Sequence, residues 1–335
     1  RGKMKSQYLC IDLKSFYASV ECVERGLDPM TTNLVVADPD RSKGTICLAI
    51  SPAMKKLGVK NRCRIYEIPP KIKHIVAPPR MQKYIEYSAE IYGVYLSFVS
   101  VDDIHVYSID EAFIDVTKYL AYYKMTAREL AVKIMQTIYD KVGIRATCGI
   151  GTNLYLAKIA LDIKAKRASD FIGELDEETF CKEMWTHKPL TDFWRIGPGI
   201  ERRLQSHGIF TIGDIVCAPE KSMYKWFGID AELIIDHAWG KEPVSIADIK
   251  AYKSKTSSIS SGQVLMRDYF YEEGLLIVKE MMDILCLELV SKNLITDSLG
   301  LYIGYSHGCN VPSSRGTAKI ETRTNADFMM IRAVA

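Results

Sequence analysis

The stretch at residues 107–117 reads YSIDEAFIDVT and places Asp110 and Glu111 side by side in a run that otherwise predicts a buried β-hairpin. Two carboxylates beneath a sheet repel each other and lose hydration, so they persist where a cation or a proton compensates them. A solvent-exposed turn is the simpler explanation of any single Asp-Glu pair. A third carboxylate elsewhere in the chain favours the functional explanation.

That third carboxylate is Asp12, which stands at the C-terminal end of a short apolar run, residues 8–11, that predicts a strand. Ligands gather at the carboxyl ends of strands in open α/β sheets. Three acidic oxygen donors suit a pair of Mg²⁺ ions, because this hard cation prefers oxygen ligands and takes others from water and substrate phosphates. Adjacent residues on a regular strand face opposite ways, so Asp110 and Glu111 can share such a site only at a turn, strand end or bulge.

Three strings of residues give the chain a family resemblance. Residues 12–21 read DLKSFYASVE, residues 48–60 read LAISPAMKKLGVK, and residues 108–112 read SIDEA. In order and spacing they resemble the Y-family, or lesion-bypass, DNA polymerases, and the second string is most similar to the UmuC-like branch of Gram-positive bacteria and their mobile elements. The resemblance runs over nearly the whole chain.

The resemblance implies a template-directed DNA polymerase of the translesion type, which adds deoxynucleotides to a primer 3′ end during DNA damage tolerance, repair and induced mutagenesis. Asp12, Asp110 and Glu111 would be its catalytic residues. Together with the backbone carbonyl of Leu13 they would hold two Mg²⁺ ions, for which Mn²⁺ can substitute. Primer-template DNA and deoxynucleoside triphosphates are the implied partners.

The same resemblance implies contacts to the nucleotide. Tyr17 would pack under the sugar as a steric gate, where a 2′-hydroxyl would collide with its ring; a core aromatic beside Phe16 is the alternative. The first N–H groups of the predicted helix, in residues 13–17, lack intrahelical acceptors and could receive triphosphate oxygens. The nucleotide-binding residues expected here are Lys14, Ser15, Phe16, Tyr17, Lys55 and Lys166.

Two of these lysines would contact the triphosphate through their side chains. Lys55 matches the family position of a basic contact, while Pro52 stands where many relatives place a tyrosine and brings no hydroxyl there. In the family, a further lysine at the end of the helix predicted from residue 154 to about residue 165 neutralises the β- and γ-phosphates. Lys166 lies one place past that position and Lys164 one place before it; we favour Lys166.

The predicted fold is α+β, a multidomain right-hand polymerase with a ferredoxin-like palm, small fingers, a helical thumb and an α/β little finger. Strands and covering helices follow a βαββαβ-like order around the acidic residues, which is the order of such a palm. The predicted segments are the first part of the palm (residues 4–30), the fingers (31–78), the second part of the palm (79–168), the thumb (169–240), a linker (241–253) and the little finger (254–335).

Two palm helices are predicted from their apolar stripes. The stripe of the first helix, Met81–Phe98, consists of Ile85, Ala89, Tyr92 and Leu96. The stripe of the second helix consists of Leu130, Ile134 and Ile138. Both stripes are expected to cover the palm sheet.

The thumb contains a Gly-x-Gly hairpin, IGPGI at residues 196–200, with helical segments expected on both sides. It resembles a helix-hairpin-helix, in which glycines let backbone amides approach a DNA phosphate without reading sequence. Residues 212–214 resemble a second turn of this kind but lack the full pattern. The expected DNA-binding residues are Ile196, Gly197, Pro198, Gly199 and Ile200.

The C-terminal segment resembles the start of the little finger. Its predicted elements are a strand (257–265), a helix (272–293), two further strands (298–304 and 317–322) and the beginning of a second helix (327–332). Because the sequence stops at Ala335, we expect an incomplete little finger. A clamp-binding peptide, through which the resemblance implies a sliding clamp as partner, would lie beyond that residue.

The net charge of +3 is too small to indicate a nucleic-acid partner, so any basic surface must be local. Two windows qualify, residues 55–73 and 158–167, in which lysines and arginines outnumber acids. Such runs are usually solvated faces, so each window alone indicates little.

The nine cysteines are scattered, with no CxxC pair and no Cys/His spacing typical of zinc sites. They indicate a reducing compartment, with most thiols packed as small apolar groups. No apolar stretch approaches the roughly 18 residues needed to cross a bilayer, and no signal peptide precedes the first strand, so we expect a cytoplasmic protein. Met4 is the expected native start, and the three residues before it are excluded as a cloning remnant.

Two other functions fit part of the pattern. A palm-fold nucleotidyl cyclase would use the same carboxylates and metal on a triphosphate without a template, but it explains neither the Gly-Pro-Gly hairpin nor the C-terminal segment. A catalytically inactive DNA-binding accessory would keep the fold without the chemistry. The presence of Asp12, Asp110 and Glu111 argues against that accessory, so the sequence favours the polymerase.

Overall fold

The structure is a computed structural model that describes residues 5–255 and 258–335. The predicted start at Met4, the remnant before it and Ser257, the first residue of a predicted strand, lie outside the described residues. Contacts divide the chain into a unit that ends at Tyr252 and a second unit that begins at Lys253. Within the described ranges, no helix combines the length and the apolar character that crossing a bilayer requires.

The secondary structure alternates between short strands and helices. The strands of the described chain are β1 (Tyr8–Leu13), β2 (Leu34–Val36), β3 (Ala49–Ile50), β4 (Ile75–Ala77), β5 (Ile104–Val106), β6 (Glu111–Asp115), β7 (Ala146–Gly151), β8 (Ile172–Leu175), β9 (Thr296–Ile303) and β10 (Ser314–Thr324). Its α-helices are α1 (Phe16–Glu24), α2 (Pro52–Lys56), α3 (Met81–Phe98), α4 (Thr117–Tyr123), α5 (Ala127–Val142), α6 (Leu154–Ile159), α7 (Glu177–Met184), α8 (Pro198–Gln205), α9 (Ile212–Cys217), α10 (Glu220–Phe227), α11 (Asp230–Ala238), α12 (Ile246–Ala251), α13 (Tyr271–Ser291) and α14 (Asp327–Val334).

Five strands of the first unit form one sheet in the order β5-β6-β1-β7-β8. Strand β1 lies at its centre and pairs antiparallel with β6 and β7, while β7 pairs parallel with β8. Strands β1, β5, β6 and β7 have the predicted ferredoxin-like arrangement, and the α+β fold class is confirmed. Strand β8 is a correction, because its residues were expected in the thumb. A parallel neighbour needs a crossover, and the helix after β7 provides one.

Alternate residues of β1 pack on opposite faces of this sheet. Leu9, Ile11 and Leu13 face the core that contains residues of α1, α3 and α5. Cys10 packs on the other face, with residues of β6 and α6. Asp12 follows Cys10 by two positions, so its side chain lies on the face that α6 covers.

The bounds of α3 agree with the prediction, but its buried face was predicted wrongly. Ile85 and Leu96 are among the exposed large hydrophobic residues. The residues of α3 that the core buries are Tyr84, Ile91, Val94 and Tyr95. These residues lie on another side of the same helix, and helical spacing alone does not show which apolar side packs against the core. The predicted stripe of α5 is confirmed by the complete burial of Leu130, Ile134 and Ile138.

The predicted fingers segment contains a small sheet in the order β3-β2-β4. Its central strand β2 pairs antiparallel with β3 and parallel with β4. A separate hydrophobic cluster packs around β2 and includes Cys47 and Cys63. The other buried thiols are Cys10, Cys22, Cys148 and Cys286. Most cysteines are therefore small core groups, as predicted, and every cysteine of the described residues is a free thiol.

Helices α7 to α11 share a hydrophobic cluster and lie within residues 169–240, the segment predicted to be the thumb. The sequence predicts a turn at residues 212–214, but these residues open α9. Thr211 is the N-cap of that helix, and its side chain accepts a hydrogen bond from the N–H of Asp214. The Asp214 side chain completes a capping box, which explains why a helix begins there.

The predicted linker is partly helical, because α12 lies within residues 241–253. Ser245 and Asp248 form a capping box at its start. Ile246 is buried and packs, with Ile249, against the cluster that contains residues of β1, β6 and α6. The boundary between the two units falls after this helix, at the end of the predicted linker.

The second unit contains α13, the antiparallel pair β9 and β10, and α14. A hydrophobic cluster brings together residues of these elements. The strand predicted at residues 257–265 is wrong for its described part, residues 258–265, which forms no regular structure. Serine and glycine dominate the first half of that run, and both residue types favour strands weakly.

Two glycines of β7 allow α6 to approach the sheet closely. A Cβ atom added to Gly149 would lie 2.0 Å from the carbonyl oxygen of Ala157, and one added to Gly151 would lie 2.2 Å from the backbone nitrogen of Ala157. Protein interiors hold no atoms this close, so any side chain there would push α6 away from β7. The basic window at residues 158–167 begins within α6. The two glycines therefore fix where the lysines of this window lie.

Gly149→Ala should destabilise the fold by more than about 2 kcal/mol, because the added methyl group meets backbone that cannot rotate away. Gly93→Ala is the matched control. Nothing lies within 4 Å of a Cβ atom added to Gly93 in α3, and alanine there should stabilise the protein by about 0.5–1 kcal/mol. Urea unfolding curves measure both changes. An unchanged free energy of unfolding for Gly149→Ala would contradict the close packing.

Candidate active site

Asp12 and Glu111 face each other directly across β1 and β6. Their side chains share the α6 face of the sheet, because cross-strand partners point the same way. Asp110 precedes β6 and lies in a bend, where its carbonyl oxygen accepts a hydrogen bond from the N–H of Leu13 at 3.0 Å. The bend meets the condition that two adjacent acids share a site only where the regular strand ends.

Two hydroxyl groups fix the bend that carries Asp110. Ser88 of α3 donates a hydrogen bond to the carbonyl oxygen of Ile109 at 2.6 Å. Ser108 donates a hydrogen bond to the Asp110 carboxylate at 2.8 Å. Ser88 on α3 and the N–H of Leu13 on β1 both donate to carbonyl oxygens of the bend. These two hydrogen bonds keep the Asp110 carboxylate beside the end of β1.

An alternating series of charges joins Glu111 to Asp12. The ammonium nitrogen of Lys158 lies 2.7 Å from Glu111 Oε1 and 3.1 Å from Asp162 Oδ2. The ammonium nitrogen of Lys166 lies 2.8 Å from Asp162 Oδ1 and 3.8 Å from Asp12 Oδ2. The side chains of Lys158 and Glu111 are only 9% and 11% exposed. Because this pair is largely shielded from water, it is stronger than a surface ion pair.

Asp12 has an unusually high proton affinity for an aspartate. Burial raises the pKa of its carboxyl group to about 7; Lys166 opposes this shift, and the charges of Asp110 and Glu111 add to it. Loss of water penalises the charged form of the carboxyl group, and neighbouring carboxylates penalise it further. A cation bound here would relieve both penalties, so the site has the electrostatic character of a cation-binding centre.

The end of α6 places Lys166, and not Lys164, beside the acidic residues. The helix continues through a π-helical segment, Ala160–Lys164, followed by a 3₁₀ turn. A π-turn contains one more residue than an α-helical turn. The side chain of Lys166 therefore points where the side chain of residue 165 would point on a regular α-helix. Lys164 points elsewhere, to Glu183 Oε2 at 2.8 Å.

The turn between β1 and α1 contains Ser15 in the left-handed region, with φ 48° and ψ 51°. This conformation is uncommon for a residue with a Cβ atom and concentrates at functional sites. A left-handed residue beside right-handed ones turns successive N–H groups to one side, as in the backbone nests that bind anions. The N–H groups of Ser15, Phe16 and Tyr17 donate to no other described residue.

Two of the five N–H groups predicted to be free are engaged. The N–H of Leu13 donates to the carbonyl oxygen of Asp110, and the N–H of Lys14 donates to the carbonyl oxygen of Arg145 at 2.9 Å. The prediction for these two groups is wrong, because they join the end of β1 to the neighbouring strands. The sequence spacing alone could not reveal partners about a hundred residues away.

Positive charge collects beside this turn. Burial, and after it the charge of Lys55, lower the pKa of Lys14. Burial also lowers the pKa of Lys55, with Lys166 adding to the shift and Asp12 opposing it. The ammonium group of Lys14 lies over the ring of Phe171, 4.2 Å from its centroid. Partly buried amines that repel one another form a favourable environment for an anion.

Tyr17 stands in the first turn of α1 and is half-buried. Its ring stacks on that of Tyr84, with centroids 4.4 Å apart and an angle of 15° between the ring planes. Burial raises the pKa of the Tyr17 hydroxyl, and the charge of Asp110 adds to this shift. The ring therefore lies between the hydrophobic core and the acidic bend.

The oxygen donors of Asp12, Asp110, Glu111 and the Leu13 carbonyl have the chemistry that Mg²⁺ prefers. Among the described residues, however, no three His, Cys, Asp or Glu side chains are arranged to hold a metal ion in this conformation. The ammonium group of Lys158 is instead the close partner of the Glu111 carboxylate. The acids fit a divalent cation in chemistry and charge.

The Gly-Pro-Gly hairpin lies at the start of α8, where Gly197 is the N-cap and Pro198 the first helical residue. Residues 197–199 are exposed. A Cβ atom added to Gly197 or Gly199 would meet nothing within 4 Å. Packing within the protein therefore does not require glycine at either position, and the backbone here can approach an external group.

The partners that Lys158 and Asp162 have in the folded protein were not predicted from the sequence, which indicated only a basic window at residues 158–167. Lys158, Asp162 and Lys166 follow one another at intervals of four residues, and this spacing places side chains on one helix face. This spacing could have predicted the alternating charges, given that the helix packs on the strands that carry Asp12 and Glu111.

The chain is similar to several known proteins over most of its length. A model described as the impB/mucB/samB family matches residues 11–162. The putative UV-damage repair protein UvrX of Bacillus subtilis (strain 168) is 34% identical over 308 residues, which cover 90% of this chain and 71% of that protein. DNA polymerase IV 2 of the same organism is 34% identical over 281 residues, which cover 82% of this chain and 66% of that protein.

A third relative, DNA polymerase IV 2 of Halalkalibacterium halodurans, is 32% identical over 270 residues, covering 80% of this chain and 64% of its own length. The chain thus spans 64% to 71% of the lengths of these three relatives. Among solved structures, a Y-family DNA polymerase chimera is similar with a TM-score of 0.72 and 22% identity, covering 98% of this chain and 93% of that chain. That likeness shows a shared fold.

Lys158→Met should destabilise the metal-free protein by about 3 kcal/mol or more, because Glu111 and Asp162 would lose their shared cation in a largely buried place. Lys164→Met is the matched control from the same helical segment. Lys164 and its partner Glu183 are 31% and 43% exposed, so that change should cost less than about 1 kcal/mol. Urea unfolding in the presence of EDTA measures both. Equal losses for the two variants would contradict a buried ion pair at Lys158.

Proposed function

The chain belongs to the impB/mucB/samB family of Y-family DNA polymerases, and we propose that it is a template-directed DNA polymerase of the translesion type, which adds deoxynucleotides to a primer 3′ end. The names of its relatives, a putative UV-damage repair protein and DNA polymerases IV, support a role in DNA repair and damage tolerance. The observation that carries the proposal is the pairing of Asp12 with Glu111 across β1 and β6, with Asp110 in the adjoining bend.

In this proposal Asp12, Asp110, Glu111 and the carbonyl oxygen of Leu13 hold two Mg²⁺ ions, and Mn²⁺ can take their place. When bound, the ions activate the primer 3′-hydroxyl and stabilise the charge of the triphosphate and the leaving pyrophosphate. The protein's own contribution is to position the two reacting groups and to compensate charge, so it needs no nucleophile of its own.

The triphosphate is proposed to bind between the turn after β1 and the end of α6. The free N–H groups of Ser15, Phe16 and Tyr17 donate to phosphate oxygens, and the side chains of Lys55 and Lys166 neutralise their charge. Lys14 contributes only through its side chain, because its N–H is engaged within the palm sheet. The left-handed conformation of Ser15 and the mutual effect of the lysine charges support this placement.

Tyr17 is the proposed steric gate, whose ring packs beneath the sugar so that a 2′-hydroxyl collides with it. Its place in the first turn of α1, next to Asp110, supports this role. The exposed hairpin at residues 196–200 is the proposed contact to the DNA backbone, and its glycines leave room for a phosphate. Primer-template DNA and deoxynucleoside triphosphates are the proposed partners, and the cytoplasm is the proposed compartment.

Asp110→Ala and Glu111→Ala should each lower primer extension by at least about a hundredfold, because each removes charge stabilisation at the reacting phosphate. DNA binding should remain close to that of the parent. Asp102→Ala is the matched control, an exposed acid in the turn before β5, and it should extend primers normally. The measurement is extension of a labelled primer on undamaged and abasic templates with Mg²⁺. Normal extension by either active-site variant would contradict the assignment.

The affinity for divalent cations should rise with pH through about 7. Asp12 is largely protonated below its raised pKa of about 7 and must lose that proton to ligate a cation, so affinity at pH 6 should be about tenfold weaker than at pH 8. Calorimetric titration of the protein with Mn²⁺ at the two pH values, without DNA, measures this. Equal affinities would contradict a role for Asp12 as a ligand, and Asp12→Asn should bind weakly at both.

A further inference from the structure

The ring of Tyr17 is positioned by packing. Its hydroxyl forms no hydrogen bond with another residue in the part of the chain that the structure describes. One face contact is the stack on Tyr84, at 4.4 Å between centroids, and Phe16 makes a tilted contact at 6.0 Å. An aromatic ring without a polar tether can move when a ligand presses on it, unless the group behind it is itself fixed.

Tyr84 is such a fixed group. It belongs to α3 and is completely buried in the core. Its hydroxyl donates a hydrogen bond to Glu21 Oε1 at 2.8 Å. Ring burial and a bond to a carboxylate together restrict the movement of Tyr84, because a side chain in a close-packed core can turn only if its neighbours move.

Glu21 is held just as firmly, although it is a carboxylate with no exposed surface. Arg80 donates two hydrogen bonds to its carboxylate, Nε to Oε1 at 3.0 Å and Nη2 to Oε2 at 2.7 Å. Arg25 donates to the Glu21 carboxylate and, at 2.9 Å, to its backbone carbonyl oxygen. Burial alone would raise the pKa of Glu21, but the hydrogen bonds from Arg80, Arg25 and Tyr84 hold it below its usual range.

This network has no part in the chemistry proposed above, yet it ends on the ring proposed to select the sugar. A steric gate rejects a ribonucleotide only to the extent that its ring cannot retreat from the added oxygen. The rigidity of Tyr17 therefore depends on Tyr84, and the rigidity of Tyr84 depends on Glu21 and its arginines.

We propose that Tyr84 is a positioning residue for Tyr17, fixed in place by Glu21, Arg80 and Arg25, and that it sets how strongly the polymerase rejects ribonucleotides. The proposal rests on the proposed function of Tyr17 as the steric gate. It gives this core contact a role in specificity, beyond the joining of α1 to α3.

The test compares single-nucleotide incorporation of a deoxynucleotide and of the matching ribonucleotide on a primed template. Selectivity is the ratio of the two kcat/KM values. Tyr84→Leu removes the stacked ring and should lower selectivity about fivefold. A change of this size in kcat/KM corresponds to the free energy that one aromatic stack typically contributes. The gain should appear in kcat/KM for the ribonucleotide, with the deoxynucleotide value nearly unchanged. Tyr84→Phe keeps the ring but loses the bond to Glu21, and should lower selectivity about twofold.

Tyr87→Phe is the matched control for Tyr84→Phe. Tyr87 stands on the same helix and also donates its hydroxyl to a glutamate, Glu24 Oε1 at 2.7 Å. The control removes a hydrogen bond between the same two helices, at an exposed place and without touching the Tyr17 stack, so its selectivity should equal that of the parent. Thermal unfolding of each variant confirms that it is folded at the assay temperature.

Two results would overturn the proposal. Equal selectivity in the parent and in folded Tyr84→Leu or Tyr84→Phe would show that Tyr17 needs no support from Tyr84. An equal fall in kcat/KM for both nucleotides would show a purely structural role. If Tyr84→Leu does not fold, Tyr84→Phe against Tyr87→Phe decides. A parent that extends no primer, or one whose Tyr17→Ala variant keeps full selectivity, would instead refute the proposed function on which the inference rests.

Discussion

Burial of negative charge at Asp12 and Glu111 is the constraint on which the rest of the structure depends. The two carboxylates face each other across β1 and β6 beneath a helix, where an uncompensated charge would cost several kcal/mol. Lys158 and Lys166 compensate them and are themselves linked through Asp162. Lysine side chains therefore neutralise the carboxylates at the place where the proposed chemistry needs metal cations from solution.

Several features of the fold follow from bringing those lysines to the sheet. Gly149 and Gly151 remove the side chains that would keep α6 away, and the π-helical segment after α6 turns Lys166 towards Asp12. On the opposite side, a bend held from α3 and β1 presents Asp110. In the proposed function, a centre built in this way would exchange a lysine contact for a divalent cation when substrate binds.

Local patterns in the sequence correctly predicted those features that depend on residues close together in the chain. The bounds of α3, the buried stripe of α5 and the need for a bend at Asp110 all follow from spacing within a few residues, and the family strings predicted the fold class. Three of the failures share another cause, since each depended on a partner far away in the chain. The N–H of Leu13 is engaged by the acidic bend, Tyr84 is buried by elements packed around α3, and the short strand β8 exists only because β7 pairs with it.

Three acids held in register by β1, β6 and the bend are proposed to form a divalent-cation centre whose counter-ion, before a cation binds, is Lys158. The most direct test is a crystal structure of the protein with primer-template DNA, a non-hydrolysable deoxynucleotide and Mn²⁺, with anomalous scattering used to locate the ions. Anomalous peaks between Asp12, Asp110 and Glu111, with Lys158 withdrawn from Glu111, are the predicted result. Ions bound elsewhere, or an intact contact of Lys158 with Glu111 and no peak beside Asp12, would contradict it.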